Sequence, residues 1–216
     1  MEPQARRRTV AETVSTRSHP PHMAPGPERS WIVAAIRNGK VPVLLVVDVQ
    51  NGALAGAHEC EQVIANIGVV LAKAREKNAP IVWIQHSDDE LPTGSEAWQI
   101  VSGLRIGNGD YRVDKRYNSS FEETELDDIL ERLGATELVI VGAATNWCVR
   151  ATAYGALDRG YDVTLISDAH TTESMVLRDG RTIEARDIIT DLNAAMAFLR
   201  YPGRRNQAKK AAEYSF

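Results

Sequence analysis

Val43-Leu44-Leu45-Val46-Val47-Asp48 is a run of five apolar residues that ends on a carboxylate. No polar residue interrupts it, so neither face of the strand it predicts can meet water, as is usual for the centre of a parallel sheet and unusual for an antiparallel one. Outward from it, short apolar runs alternate with helical periodicity. Val63, Ile64, Ile67, Val70 and Leu71 fall at helical spacing within 59–78, and Ile81-Val82-Trp83-Ile84 reads as a second buried strand introduced by Pro80. Arg112-Val113-Asp114-Lys115 reads as a short third strand, and Thr124–Leu133 as a helix ended by Gly134. Leu138-Val139-Ile140-Val141-Gly142 and Val163-Thr164-Leu165-Ile166 are the fourth and fifth strands, with helices at 147–159 and 186–199 and a candidate sixth strand at Thr182–Ala185. Repeated β-α-β order predicts a doubly wound, mostly parallel α/β domain with right-handed crossovers and helices on both faces.

A chain of 216 residues has room for one such domain plus a tail. Residues 1–28 carry five of the nine prolines, the Arg6-Arg7-Arg8 run and no apolar stretch of the kind a secretory signal needs, and are expected to be a disordered extension. The domain is expected over 29–205, with 206–216 as a C-terminal tail. A formal net charge of −4 argues against a nucleic-acid or anionic-membrane surface, and no apolar run is long enough for a membrane span. A small-molecule substrate is the expected partner. The two cysteines, Cys60 and Cys148, stand in unrelated contexts and form neither a disulfide framework nor a CxxC unit, which suggests a reducing, cytoplasmic setting. Gly103-x-x-x-Gly107-x-Gly109 lacks the spacing and the preceding strand of a dinucleotide loop, so no nucleotide cofactor is expected.

In doubly wound sheets, sites form outside the carboxyl ends of the strands. Asp48, His86, Lys115 and the Ala143–Cys148 segment all lie at or just past predicted strand ends, so they are expected to converge. Cys148 opens the predicted fourth-crossover helix, where free N–H groups and a nearby lysine would favour thiolate; the alternative is a buried structural cysteine. Asp48 closes an apolar strand, where a carboxylate can serve as general base; it could instead cap the Asn51-Gly52 turn. Lys115 alone reads as an ordinary surface lysine. The three are 67 and 33 positions apart, a spacing that only a fold can make sense of.

Val46-Val47-Asp48-Val49-Gln50-Asn51, Val113-Asp114-Lys115-x-x-x-Ser119-Ser120-Phe121 and Val141-Gly142-Ala143-Ala144-Thr145-Asn146-Trp147-Cys148-Val149 resemble the three signature segments of the isochorismatase-like cysteine hydrolases. The similarity runs from about Val41 to Gly203. It implies an Asp48–Lys115–Cys148 triad in an open six-stranded sheet, attack of the thiolate on a carbonyl-type or imine-type carbon, and hydrolysis of the resulting thioester. It also implies a cis peptide before Ala144 and an oxyanion hole made by the backbone N–H groups of Ala144 and Cys148. If the family geometry holds, Gln50, Tyr117 and Trp147 line the substrate pocket, and the chain assembles as a dimer or tetramer.

One departure bears on substrate. Nicotinamidases of this family carry an aspartate–histidine metal site after the second strand, whereas here the stretch reads Gln85-His86-Ser87-Asp88-Asp89, so no metal is expected. The segment from Gln85 to Gln99 resembles a subgroup that includes the lactam-opening streptothricin hydrolase. The resemblance therefore implies hydrolysis of a C–N bond in a small amide, lactam or ureide. Vinyl ether hydrolysis and a catalytically silent binding module with the same fold are the alternatives.

Overall fold

The computed structural model describes residues 37–216, so the expectation for residues 1–28 lies outside the described part. In chain order the elements are β1 (Pro42–Val47), α1 (Cys60–Glu76), β2 (Ile81–His86), β3 (Tyr111–Lys115), α2 (Leu126–Arg132), β4 (Glu137–Ala143), α3 (Arg150–Asp158), β5 (Asp162–Thr171), β6 (Met175–Val176), β7 (Thr182–Ile183), α4 (Ala185–Phe198) and β8 (Asn206–Lys209). Six strands form one sheet in the order β3-β2-β1-β4-β5-β8, every neighbouring pair parallel. The chain moves outward from β1 in one direction through β2 and β3, then in the other from β4. That reversal puts the switch point, and the cleft it creates, beyond the ends of β1 and β4.

Alternation along the central strand divides the core into two layers. Val43, Leu45 and Val47 face α2, α3 and α4 and pack with Leu126, Leu130, Ala153, Leu157 and Met196. Leu44 and Val46 face the other way, against Val63, Ile67, Val70 and Leu71 of α1. All five strand residues are fully buried, each contributing about 1.5–3 kcal/mol relative to exposure. Among the described residues no helix is long and apolar enough to cross a membrane.

Two boundaries differ from the sequence reading. Thr182 and Ile183 do pair, but in a separate antiparallel ribbon with Met175 and Val176, not as the sixth strand of the sheet. The sixth strand is Asn206–Lys209, within the supposed tail. It lies parallel to β5, Val163 opposite Asn206 and Ile166 opposite Lys209. A polar tetrapeptide gives no apolar signal because it is an edge strand whose order comes from specific hydrogen bonds. Asn206 Nδ2 donates to the carbonyls of Met196 (2.8 Å) and Leu199 (3.1 Å), and Gln207 Nε2 to Thr164 Oγ1 (2.9 Å). Beyond it, Ala211 and Tyr214 are buried, and Lys73 of α1 donates to the carbonyls of Ala211 (2.7 Å), Ala212 (2.9 Å) and Tyr214 (2.8 Å). The folded unit therefore includes residues 206–216.

Candidate active site

Three strand ends supply the central groups. Asp48 follows β1, Lys115 is the last residue of β3, and Cys148 lies in the turn after β4. They converge: Lys115 Nζ is 2.8 Å from Asp48 Oδ2 and donates to Cys148 Sγ at 3.1 Å. Exposure is 2% for Asp48, 2% for Lys115 and 8% for Cys148, so the contact is made away from bulk water. Asp48 adopts φ 47°, a left-handed conformation that costs a non-glycine residue about 1–3 kcal/mol and is concentrated at functional sites. Apart from the Lys115 ammonium, no group among the described residues donates to either Asp48 oxygen. Lone pairs are thus left on the carboxylate to receive a proton.

The Cys148 turn is built by its neighbours. Gly142 at φ 122° lets β4 close onto the end of β1, where an added Cβ would lie 1.9 Å from the Val47 carbonyl oxygen. The Ala143–Ala144 peptide is cis, and the Ala144 carbonyl accepts the N–H groups of Trp147 (3.0 Å) and Val149 (3.2 Å), which flank that of Cys148. The Ala144–Val149 bond spans five residues, so Thr145–Val149 is a π-type turn and α3 starts only at Arg150. Cys148 does not open a regular α-helix, as the sequence suggested.

Thr145, the first residue of that turn, is fully buried and hydrogen-bonded through Oγ1 to His170 Nδ1 at 2.8 Å. Asn193 Nδ2 donates to the Ser167 carbonyl, which leaves its Oδ1 facing His170 Nε2 at 3.0 Å. The imidazole hydrogen is therefore on Nε2, and Nδ1 accepts from the Thr145 hydroxyl. Burial pulls the His170 value down to about 4, against smaller opposing effects of Asn193 and Asp168. Neither the Thr145 nor the Asn193 contact was foreseen from the sequence, where His170 carries no spacing signal.

Electrostatics overturn one expectation. The Cys148 thiol is pushed up to about 12, first by burial and then by the Asp48 charge, with Lys115 acting in the opposite direction. Burial also works against the Lys115 ammonium, but Asp48 and then Cys148 outweigh it and the net direction is upward. A carboxylate, an ammonium and a neutral thiol sum to zero charge; releasing the thiol proton to water would leave two anions against one cation. Shifting that proton to Asp48 keeps the sum unchanged. Charge balance therefore disfavours a standing thiolate.

Around this centre, Gln50 is not a pocket residue. It is fully buried, its Oε1 accepts the His86 N–H at 2.8 Å, and its Nε2 donates to the carbonyls of His86 (2.9 Å) and Trp98 (3.0 Å). Every polar atom of its amide is spent on tying the post-β1 segment to the end of β2. Tyr117 and Trp147 are about half exposed, at 48% and 50%. Trp147 lines a cavity of about 460 Å³ with Ala144, Glu90, Glu173 and Met175, while Tyr117 and Lys115 line a second of about 330 Å³. His86 bonds Asp88 Oδ2 through Nε2 (2.9 Å) and lies 3.4 Å from Lys115 Nζ through Nδ1, so both ring nitrogens face protein partners. Arg150 and Arg159 form ion pairs with Asp191 and Asp127.

Residues 42–190 match the family model described as Isochorismatase domain. The chain is 35% identical over 140 residues to a streptothricin hydrolase of Streptomyces noursei, covering 61% of this chain and 50% of that protein. It thus spans about half the length of that relative. It is 34% identical over 137 residues to the secreted isochorismatase effector Isc1 of Verticillium dahliae, covering 59% of this chain and 70% of the other. An isochorismatase of Pseudomonas putida KT2440 has a similar structure, with a TM-score of 0.72 and 28% identity over 80% of this chain and 89% of that one. N-carbamoylsarcosine amidase of Thermoplasma acidophilum shares the fold, with a TM-score of 0.65 at 24% identity over 81% and 99% of the two chains.

Proposed function

The chain belongs to the isochorismatase-domain family, and from that premise we propose that it is a cysteine hydrolase cleaving the C–N bond of a small amide, lactam or ureide through a thioester on Cys148. The observation that carries this reading is one buried ammonium, Lys115, within 2.8 Å of a carboxylate and 3.1 Å of a thiol.

In the proposed cycle Asp48 takes the thiol proton as sulfur attacks the carbonyl carbon, so charge stays balanced while the nucleophile forms. The N–H groups of Ala144 and Cys148 receive the oxyanion, since the adjacent amides of Trp147 and Val149 are already engaged by the Ala144 carbonyl. Asp48 returns the proton to the leaving nitrogen as the C–N bond breaks. Water then attacks the thioester with Asp48 as base; the acid departs, and the sulfur recovers its proton. No step draws on a metal, and the His86 nitrogens that could bind one are turned to Lys115 and Asp88. Trp147, on the cavity beside Ala144, and Tyr117, on the cavity beside Lys115, are the substrate contacts of this proposal.

The similarity to streptothricin hydrolase supports lactam opening as one form of this reaction. Vinyl ether hydrolysis is the second reading: the cavity beside Trp147 carries Glu90 and Glu173, which disfavour an anionic substrate, whereas the cavity beside Tyr117 carries Lys115 and Arg116, which favour one. A cytoplasmic location is part of the same proposal, supported by the two unpaired cysteines.

Intact-mass analysis of the protein incubated with a panel of amides, lactams and vinyl ethers tests the reading. An acyl adduct on Cys148 is expected with a C–N substrate, absent in Cys148→Ala, and formed about 10²- to 10⁴-fold more slowly in Asp48→Asn. Turnover surviving Cys148→Ala would exclude covalent catalysis.

A further inference from the structure

His86 is the last residue of β2, in register with Lys115 at the end of β3. Gln50 grips its backbone on both sides, at N–H and at carbonyl. The ring is fixed as firmly. An ammonium has only hydrogens to offer, so Nδ1, 3.4 Å from Lys115 Nζ, presents its lone pair; the ring hydrogen then sits on Nε2 and is donated to Asp88 Oδ2 at 2.9 Å. Asp88 is itself anchored, accepting the backbone N–H groups of Glu90 (2.9 Å) and Leu91 (2.8 Å) through Oδ1.

Lys115 has three hydrogens and four acceptors. Asp48 is at 2.8 Å, Cys148 and the Tyr117 carbonyl at 3.1 Å, and His86 at 3.4 Å. In the resting charge state the imidazole is the most distant of the four and competes least. The ranking changes once the thiol proton passes to Asp48: the carboxyl loses its charge, the sulfur gains one, and the hydrogen that faced Asp48 is left with a neutral, weaker acceptor.

We propose that His86, oriented and polarised by Asp88, is a positioning residue that holds the Lys115 ammonium against the Cys148 thiolate while Asp48 is protonated. The inference rests on Cys148 as nucleophile and adds a fourth and a fifth side chain to its support. Only hydrogen bonds exchange in this step. The charged groups facing the ring are Lys115 from β3 and Asp88 from the loop after β2, with Asp48 and Cys148 beyond Lys115; Gln50 from the β1 side is neutral. The negative charge of Asp88, on the far side of the ring, makes Nδ1 a better acceptor for the ammonium. The bond from His86 also holds the Asp88 carboxyl below the usual carboxylate range.

The test needs no substrate. Carbamidomethylation by iodoacetamide at neutral pH, followed by peptide mass spectrometry, reads Cys148 and uses Cys60 in the same sample as reference. In His86→Leu, Cys148 labelling should slow by about tenfold to a hundredfold, the size expected for losing a hydrogen bond to a charged group, while Cys60 labelling is unchanged. His86→Asn should restore most of the rate, because its Oδ1 falls near the place of Nδ1, and Asp88→Leu should give an intermediate rate. Equal Cys148 labelling in wild type and His86→Leu, or an equal loss in the leucine and asparagine variants, would overturn the inference. A wild-type Cys148 labelled no faster than Cys60 would overturn the nucleophile assignment and this inference with it; a reactive Cys148 indifferent to His86 overturns this inference alone.

Discussion

Acidification should destabilise this protein through one buried imidazole. His170 is 1% exposed, and both of its nitrogens are committed, one to the Thr145 hydroxyl and the other to Asn193. Protonation would put a hydrogen on Nδ1 and a charge that, among the described residues, Asp168 offsets only weakly. Burial accordingly pulls its value from 6.5 down to about 4. The unfolded chain binds this proton near pH 6.5 and the native chain only near pH 4, so stability is complete above about pH 6.5 and declines as pH falls. The gap between 6.5 and about 4, at about 1.4 kcal/mol per pH unit, amounts to about 3 kcal/mol lost by pH 4. That is a large share of the 5–15 kcal/mol typical of a domain. The assay is urea unfolding followed by tryptophan fluorescence from pH 7.5 to 4.5, for wild type and His170→Asn, whose Oδ1 can still accept from Thr145. The substitution lowers stability at every pH by leaving space around the side chain, but it removes the titrating group, so the wild-type minus variant difference should shrink as pH falls. A difference that stays constant across this range would refute the reasoning.

Two further perturbations probe the scaffold. Gly142→Ala would drive a Cβ to 1.9 Å from the Val47 carbonyl oxygen and 2.8 Å from its carbon, where only backbone could yield; a loss of more than about 3 kcal/mol, or failure to accumulate folded protein, is expected from the urea midpoint and soluble yield. Lys73→Met removes the donor shared by three carbonyls of residues 211–214, and should cost about 1–2 kcal/mol while lowering hydrogen-exchange protection in β8 and leaving β1 and β4 unchanged.

The strands of the central sheet were legible because burial on both faces leaves a mark in one dimension: Val43–Val47, Ile81–Ile84 and Leu138–Val141 have no polar residue to misplace. The convergence of Asp48, Lys115 and Cys148 was legible for a related reason, since strand ends in this topology share one rim. What could not be read depends on partners distant in the chain. Asn206–Lys209 is a strand because Val163–Ile166 lies beside it and Met196 and Leu199 offer carbonyls. Gln50 looked like a substrate contact because it follows Asp48 by two positions; its buried amide instead closes on His86, 36 positions away. The π-type turn follows from the Val149–Ala144 bond, which no spacing in Ala143–Cys148 announces.

The thiol is where position misled most. A strand-to-helix turn and a neighbouring lysine both argue for an acidic sulfur, and Lys115 does act in that direction. Burial and Asp48 act the other way and prevail, because the lysine is already shared with a carboxylate at 2.8 Å. A cation neutralised by one anion cannot also stabilise a second at full strength. In the proposed cycle reactivity depends on removing the first anion's charge as the second forms, which a proton passing from Sγ to Asp48 accomplishes without altering the total charge of the site. The same proposal calls for Lys115 and not a neutral donor: the group must compensate a negative charge that sits on oxygen before the transfer and on sulfur after it, and the Lys115 hydrogens reach both atoms from one position.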